Sequence, residues 1–148
     1  MQRLRRKGIA RMLMLTGDHA GAAEPIGKAL GLDFVLSDCT PSEKLEIVAA
    51  EQKRAPVLMV GDGINDAPAL AVAHVGMAMG ARGASASSQA ADIVVLVDRI
   101  DRVADAVSIA QRTRAIAWQS IVAGMALSGA AMVLAAFGFL SPLQGALV

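Results

Sequence analysis

Val60-Gly61-Asp62-Gly63-Ile64-Asn65-Asp66-Ala67-Pro68-Ala69-Leu70 decides the reading of this chain, because an apolar run stops there at two carboxylates four residues apart. Val57-Leu58-Met59-Val60 reads as a strand, and Gly61 and Gly63 permit a sharp turn around Asp62 where a β-carbon would crowd the backbone. Asp62 therefore stands at the carboxyl end of a strand. Asn65 or Asp66 can cap the helix that follows, and Pro68 suits its first turn, where a missing amide donor costs little. Carboxylate oxygens beside a helix N-terminus suit hard Mg²⁺ together with a bound phosphoryl group, since the metal takes oxygen ligands and the free amides favour the anion. Standing alone, the segment would be explained equally well by ordinary turn and cap chemistry.

Two further segments give it company. Arg11-Met12-Leu13-Met14-Leu15 reads as another strand and ends in Thr16-Gly17-Asp18, again a hydroxyl and a carboxylate at a strand's carboxyl end. Between the two strands, Pro41-Ser42-Glu43-Lys44 opens a helix with a lysine in its first turn. In open α/β sheets the ligand crevice lies outside the carboxyl ends of the strands, so these polar groups can converge on one site. Each has a plain counterpart: a solvated helix lysine for Lys44, and turn chemistry for Thr16 and Asp18.

The sequences TGDH (16–19), TPSEK (40–44) and VGDGINDAPAL (60–70), in this order, resemble the phosphorylation domain of P-type ATPases, within the haloacid dehalogenase-like superfamily. The resemblance implies Asp62 as the direct Mg²⁺ ligand and Asp66 as its supporting carboxylate. It implies Lys44 as the cation facing the phosphoryl group of ATP, Thr16 as a hydroxyl donor to it, Gly17 and Asp18 as part of the same loop, and Asn65 as a site-ordering amide. Those roles fit the chemistry, because phosphoryl transfer is mainly positioning and charge stabilisation. The family's nucleophile is the aspartate of a DKTGT sequence, which this chain does not contain. The resemblance therefore implies the carboxyl-terminal part of a larger pump, inactive by itself, whose remaining segments are its partners.

Composition agrees with an α/β domain followed by a membrane segment. Among 148 residues the hydrophobic share is 55% and the mean hydropathy +0.51, and the excess is localised: no charged residue follows Arg114. Ile121 to Leu140 is almost wholly apolar or small and long enough, at about 1.5 Å per residue, for a bilayer core of roughly 30 Å. Arg112 and Arg114 place residues 1–114 on the cytoplasmic side by the positive-inside rule. Gly124, Ser128, Ala131 and Ala135 form a small-residue stripe for close helix approach, and Ser141-Pro142 breaks the helix before a further apolar segment. A buried core helix is the competing reading, and length without charge favours the lipid bilayer.

A net charge of +1 and 3% aromatic residues give no reason to propose nucleic acid. Arg3, Arg5, Arg6 and Lys7 read as an exposed helix face, the single Cys39 excludes an internal disulfide, and His19 and His74 lack metal-ligand spacing. The methionines read as core filler.

Alternating apolar and amphipathic runs predict helix 2–7, strand 11–15, helix 20–30 stopped by Gly31, strand 33–36, helix 42–53, strand 57–60, helix 66–72, strand 75–79, helix 84–90 and strand 93–97. This is a Rossmann-like, mostly parallel sheet covered by helices over residues 1–100. A helical connector follows over 101–115, a transmembrane helix over 116–140 and the start of another span over 141–148. The run TRAIAWQSIVAGMALSGAAM (113–132) most resembles the heavy-metal-transporting branch, whose cargo is a heavy-metal cation. Leu127-Ser128 matches neither the Tyr-Asn pair of copper pumps nor the lysine common in zinc and cadmium pumps, so the cation stays open. A membrane-tethered phosphatase of the same superfamily, or a non-catalytic Mg²⁺/phosphate-binding module, is the alternative.

Overall fold

The computed structural model describes residues 1–62, 65–80 and 89–138. The chain divides into two compact units, residues 1–105 and the residues from 106 onward. The first unit opens with α1 (Gln2–Arg6), β1 (Leu13–Leu15), α2 (Ala20–Leu30), β2 (Phe34–Leu36) and α3 (Pro41–Gln52). It continues with β3 (Leu58–Gly61), α4 (Ala67–Val72), β4 (Val75–Met79) and β5 (Ile93–Val95). Helix α5 (Asp101–Ala136) starts there and runs into the second unit.

Every described strand pair is parallel, as the strand–helix alternation predicts. The strands form two ladders, β1-β2 and β3-β4-β5, where one continuous sheet was expected. Within each ladder consecutive strands pair, and α2 between β1 and β2 and α4 between β3 and β4 carry the chain back beside the strand it left. Within residues 1–100 predicted and observed elements differ by at most two residues at their ends, and the long helix ends at Ala136 rather than at the expected 140; the helix expected at 84–90, the turn at Gly63 and the segment 141–148 lie wholly or largely outside the described residues.

The same device sets the start of both ladders. Asp33, just before β2, accepts a hydrogen bond from the Met12 amide at 2.8 Å and donates its own amide to Met12 O at 2.9 Å. Asp92, just before β5, does the same with Gly76, at 2.8 and 2.9 Å. Each aspartate closes a two-bond ring on the neighbouring strand, so a one-residue slip would break both bonds.

Helix α2 ends as predicted at Gly31, whose φ of 68° is left-handed backbone that glycine adopts without steric cost. It lies so close to β2 that a β-carbon at Gly27 would clash with Val35 Cγ2. Helix α3 begins with a reciprocal capping box between Thr40 and Glu43. The Thr40 amide, and then its hydroxyl, hold the Glu43 carboxyl below its ordinary pKa.

Helix α4 packs against α3, β3 and β4, and the fully buried Leu70 and Met77 mark the centre of that core. Met12, Met77 and Met79 are buried, in keeping with methionine as an unbranched gap-filler. The basic cluster is more than a solvated face: Arg3 pairs with Asp105 at 2.7 Å, and Arg5 reaches Gly31 O at 3.0 Å and Asp33 at 2.9 Å. In the second unit α5 carries no charge after Arg114 and leaves Trp118, Met125 and Met132 exposed, as befits a helix solvated by lipid. Its most apolar window has a mean hydropathy of 1.6, long and apolar enough to cross a membrane. The helix ends at Ala136, followed by Gly138 at φ 75°.

Candidate functional site

Lys44 and Asp66, 22 positions apart, meet at 2.8 Å between Nζ and Oδ1, and their side chains are only 12% and 14% exposed. The contact resolves two oddities. A lysine in the first turn of α3 sits against the positive end of the helix dipole and needs an anion nearby. Asp66 occupies the N-cap position of α4, yet its side chain makes no cap hydrogen bond. The sequence reading of Asn65 or Asp66 as a side-chain cap is thus corrected: the carboxylate turns to the ammonium, since a charge-assisted bond in a mostly dry site outweighs a bond to one backbone amide. Pro68 lies in the first turn of α4 as expected.

Gly61, the last residue of β3, makes room for this pair. A β-carbon there would stand 2.8 Å from Asp66 Oδ2 and 3.0 Å from Asp66 Cβ. The glycine was read for its turn, whereas its contribution here is the volume it leaves to a carboxylate five residues later. Asp62 follows it and is exposed, as is Asn65.

The second cluster is the loop after β1. Thr16 is half-buried; its hydroxyl donates to Asp18 Oδ2 at 3.0 Å and accepts from the Asp18 amide at 3.1 Å. The backbone ladder of β1 and β2 runs on into this loop: Thr16 N donates to Leu36 O at 3.0 Å, Cys39 N to Thr16 O at 2.9 Å and Asp38 N to Asp18 O at 2.9 Å. Gly17 is exposed between them. His19, the N-cap residue of α2, pairs through Nδ1 with the Asp38 carboxylate. His19, which lacks metal-ligand spacing in the sequence, is exposed and serves this structural pairing. Asp38 was passed over; an Asx residue between a strand end and a helix cap is the signal that could have found it, because Asp tolerates left-handed backbone.

The structure thus brings Lys44 to Asp66, and Thr16 to Asp18. Among the described residues no group of three or more His, Cys, Asp or Glu side chains is placed to hold a metal ion. Asp62 and Asp66 supply oxygen donors only, a set that suits Mg²⁺, which commonly keeps several waters and takes one or two carboxylates plus substrate phosphate.

Residues 1–74 match the haloacid dehalogenase-like hydrolase family. The chain is 42% identical over 139 residues to the cadmium, zinc and cobalt-transporting ATPase of Bacillus subtilis, covering 91% of this chain and 20% of that protein. It is 37% identical over 149 aligned positions to the manganese-exporting P-type ATPase of Mycobacterium bovis, covering 100% of this chain and 21% of that one. A zinc-transporting PIB-type ATPase solved in its E2.Pi state superposes with a TM-score of 0.83 at 33% identity, over 91% of this chain and 22% of the other. The chain spans about one fifth of the length of the curated relatives it matches. Its relatives are membrane-borne P-type ATPases, and α5 is long and apolar enough to cross a membrane. The parallel strands, the strand-end polar groups and these likenesses agree, and the chain belongs to the haloacid dehalogenase-like hydrolases, among relatives that are heavy-metal P-type ATPases.

Proposed function

We propose that this chain is the carboxyl-terminal part of an ATP-driven heavy-metal cation pump and supplies the Mg²⁺-binding and phosphoryl-stabilising half of its phosphorylation site. The observation that carries the proposal is the Lys44–Asp66 pair beside the exposed, strand-end Asp62. In this reading Lys44 presents an ammonium, oriented by Asp66, to the transferred phosphoryl group of ATP, and Thr16 gives the same group a hydroxyl. Asp62 would hold Mg²⁺ directly and Asp66 would support it. Asn65 and the Gly17–Asp18 loop order the approach. The bound ion would neutralise charge on the phosphate oxygens. The attacking carboxylate comes from another segment, since this chain contains no DKTGT sequence. Cadmium, zinc, cobalt and manganese pumps stand among the relatives, which supports a divalent heavy-metal cargo without choosing one.

The test is phosphoenzyme formation from labelled ATP in the complete pump at graded Mg²⁺, with the 148-residue chain alone as the unlabelled control. Asp62→Asn keeps the shape and removes a charge where a divalent cation must sit, so it abolishes labelling at every Mg²⁺ concentration. Asp66→Asn loosens Lys44 and lowers labelling less, or shifts its Mg²⁺ requirement. An Asp62→Asn pump with the parent Mg²⁺ curve overturns the assignment.

A further inference from the structure

Asp38 is the one described non-glycine residue with a positive φ, at 54°. Left-handed backbone is disfavoured for residues with a β-carbon, and persists where surrounding structure holds it. Three contacts hold it here: the Asp38 amide on Asp18 O at 2.9 Å, the following Cys39 amide on Thr16 O at 2.9 Å, and the Asp38 carboxylate on His19. Two residues later Thr40 caps α3, whose first turn carries Lys44. The left-handed turn therefore lies between two groups of the site. On one side it grips the loop that holds the Thr16 hydroxyl, and on the other it feeds directly into the helix that aims the Lys44 ammonium.

We propose that Asp38 is a positioning residue: its left-handed backbone aims two successive amides at the Thr16–Asp18 loop and so fixes the Thr16 hydroxyl relative to Lys44. The carboxylate–His19 pair is secondary, a tie that lets an aspartate stand where glycine would be the unstrained choice. The link to phosphate rests on the function proposed above; the latch itself does not.

The experiment uses the 148-residue chain in detergent micelles, as parent, Asp38→Gly and Asp38→Ala. Glycine takes the turn freely and alanine resists it, so amide exchange at residues 38 and 39 accelerates about tenfold in Asp38→Ala and stays near the parent rate in Asp38→Gly. Titration with inorganic phosphate and Mg²⁺, followed at the Thr16 and Lys44 amide resonances, half-saturates at about tenfold higher phosphate in Asp38→Ala and at the parent value in Asp38→Gly. Parent-like exchange in Asp38→Ala overturns the latch, as does an Asp38→Gly chain that exchanges as fast as Asp38→Ala. If the alanine chain does not fold, the glycine chain decides, because protection lost there shows that the carboxylate and not the turn holds the loop. A parent chain whose amides ignore phosphate counts against the proposed function and leaves the exchange result to decide the latch.

Discussion

Gly61→Ala tests whether the site depends on the space that one missing side chain leaves. The new methyl carbon would lie 2.8 Å from Asp66 Oδ2, 3.0 Å from Asp66 Cβ and 3.3 Å from Asp66 Cγ. Carbon contacts settle at about 3.5–4.0 Å, so the Asp66 side chain has to retreat by roughly 0.5 Å or more. Lys44, 2.8 Å away on the other oxygen, must follow or lose its bond. Overpacking of this kind costs about 1–3 kcal/mol, and the loss of glycine's freedom in the unfolded chain returns about 0.4–1 kcal/mol. A net destabilisation of roughly 1–2 kcal/mol follows, a fall in melting temperature on the order of 5–10 °C for a domain of this size. Thermal melts of the full chain in detergent measure it. In an Asp66→Ala background two of the three clashing atoms are gone, and Gly61→Ala should cost at least about 1 kcal/mol less. A Gly61→Ala chain that melts with the parent, or one with an equal penalty in both backgrounds, refutes the reasoning.

Three other outcomes are expected. Thr40→Ala removes the hydroxyl that caps α3 and should cost about 1 kcal/mol, read from the same melts. Asp33 is held below its ordinary pKa of 3.8, first by the hydrogen bond from Arg5 and then by the Met12 amide. Its stabilisation is therefore fully present above pH 3.8 and is lost as pH falls through the lower folded value, so Asp33→Asn should melt lower than the parent at pH 6 and lose less on acidification to pH 3. The chain expressed in membranes should resist alkaline carbonate extraction, with residues 1–114 protected from protease added outside; full extraction or external cleavage would contradict insertion or orientation.

The element order was legible because its signals are local. The Gly31 stop, the Pro68 first turn and the alternation of Val57–Val60 runs with amphipathic helices act over a few residues, and parallel pairing follows from helices between strands. The candidate site residues could be named from the sequence, since hydroxyl, ammonium and carboxylate stood at strand and helix ends. Their partners could not. Sequence alone left Asp66 as a cap or a supporting carboxylate and Lys44 as a phosphoryl-facing cation or a solvated helix lysine, without joining the two, and only the approach of α3 to α4 turns each toward the other. The same holds for Arg5 on Asp33, read as a solvated face, and for Asp38, whose backbone conformation depends on a loop some twenty residues earlier.

What the sequence by itself determined is the kind of chain this is: an α/β domain with oxygen-rich strand ends, followed by an uncharged helix of membrane length. Apolar periodicity and charge placement carry that information at short range. What only the tertiary structure decided is which charges are neutralised and where backbone space is reserved. It directs Asp66 to Lys44, leaves Asp62 exposed, and makes Gly61 a matter of volume as well as of turning. A charge in a mostly dry site takes the partner that packing brings within about 3 Å, and sequence separation does not encode that distance.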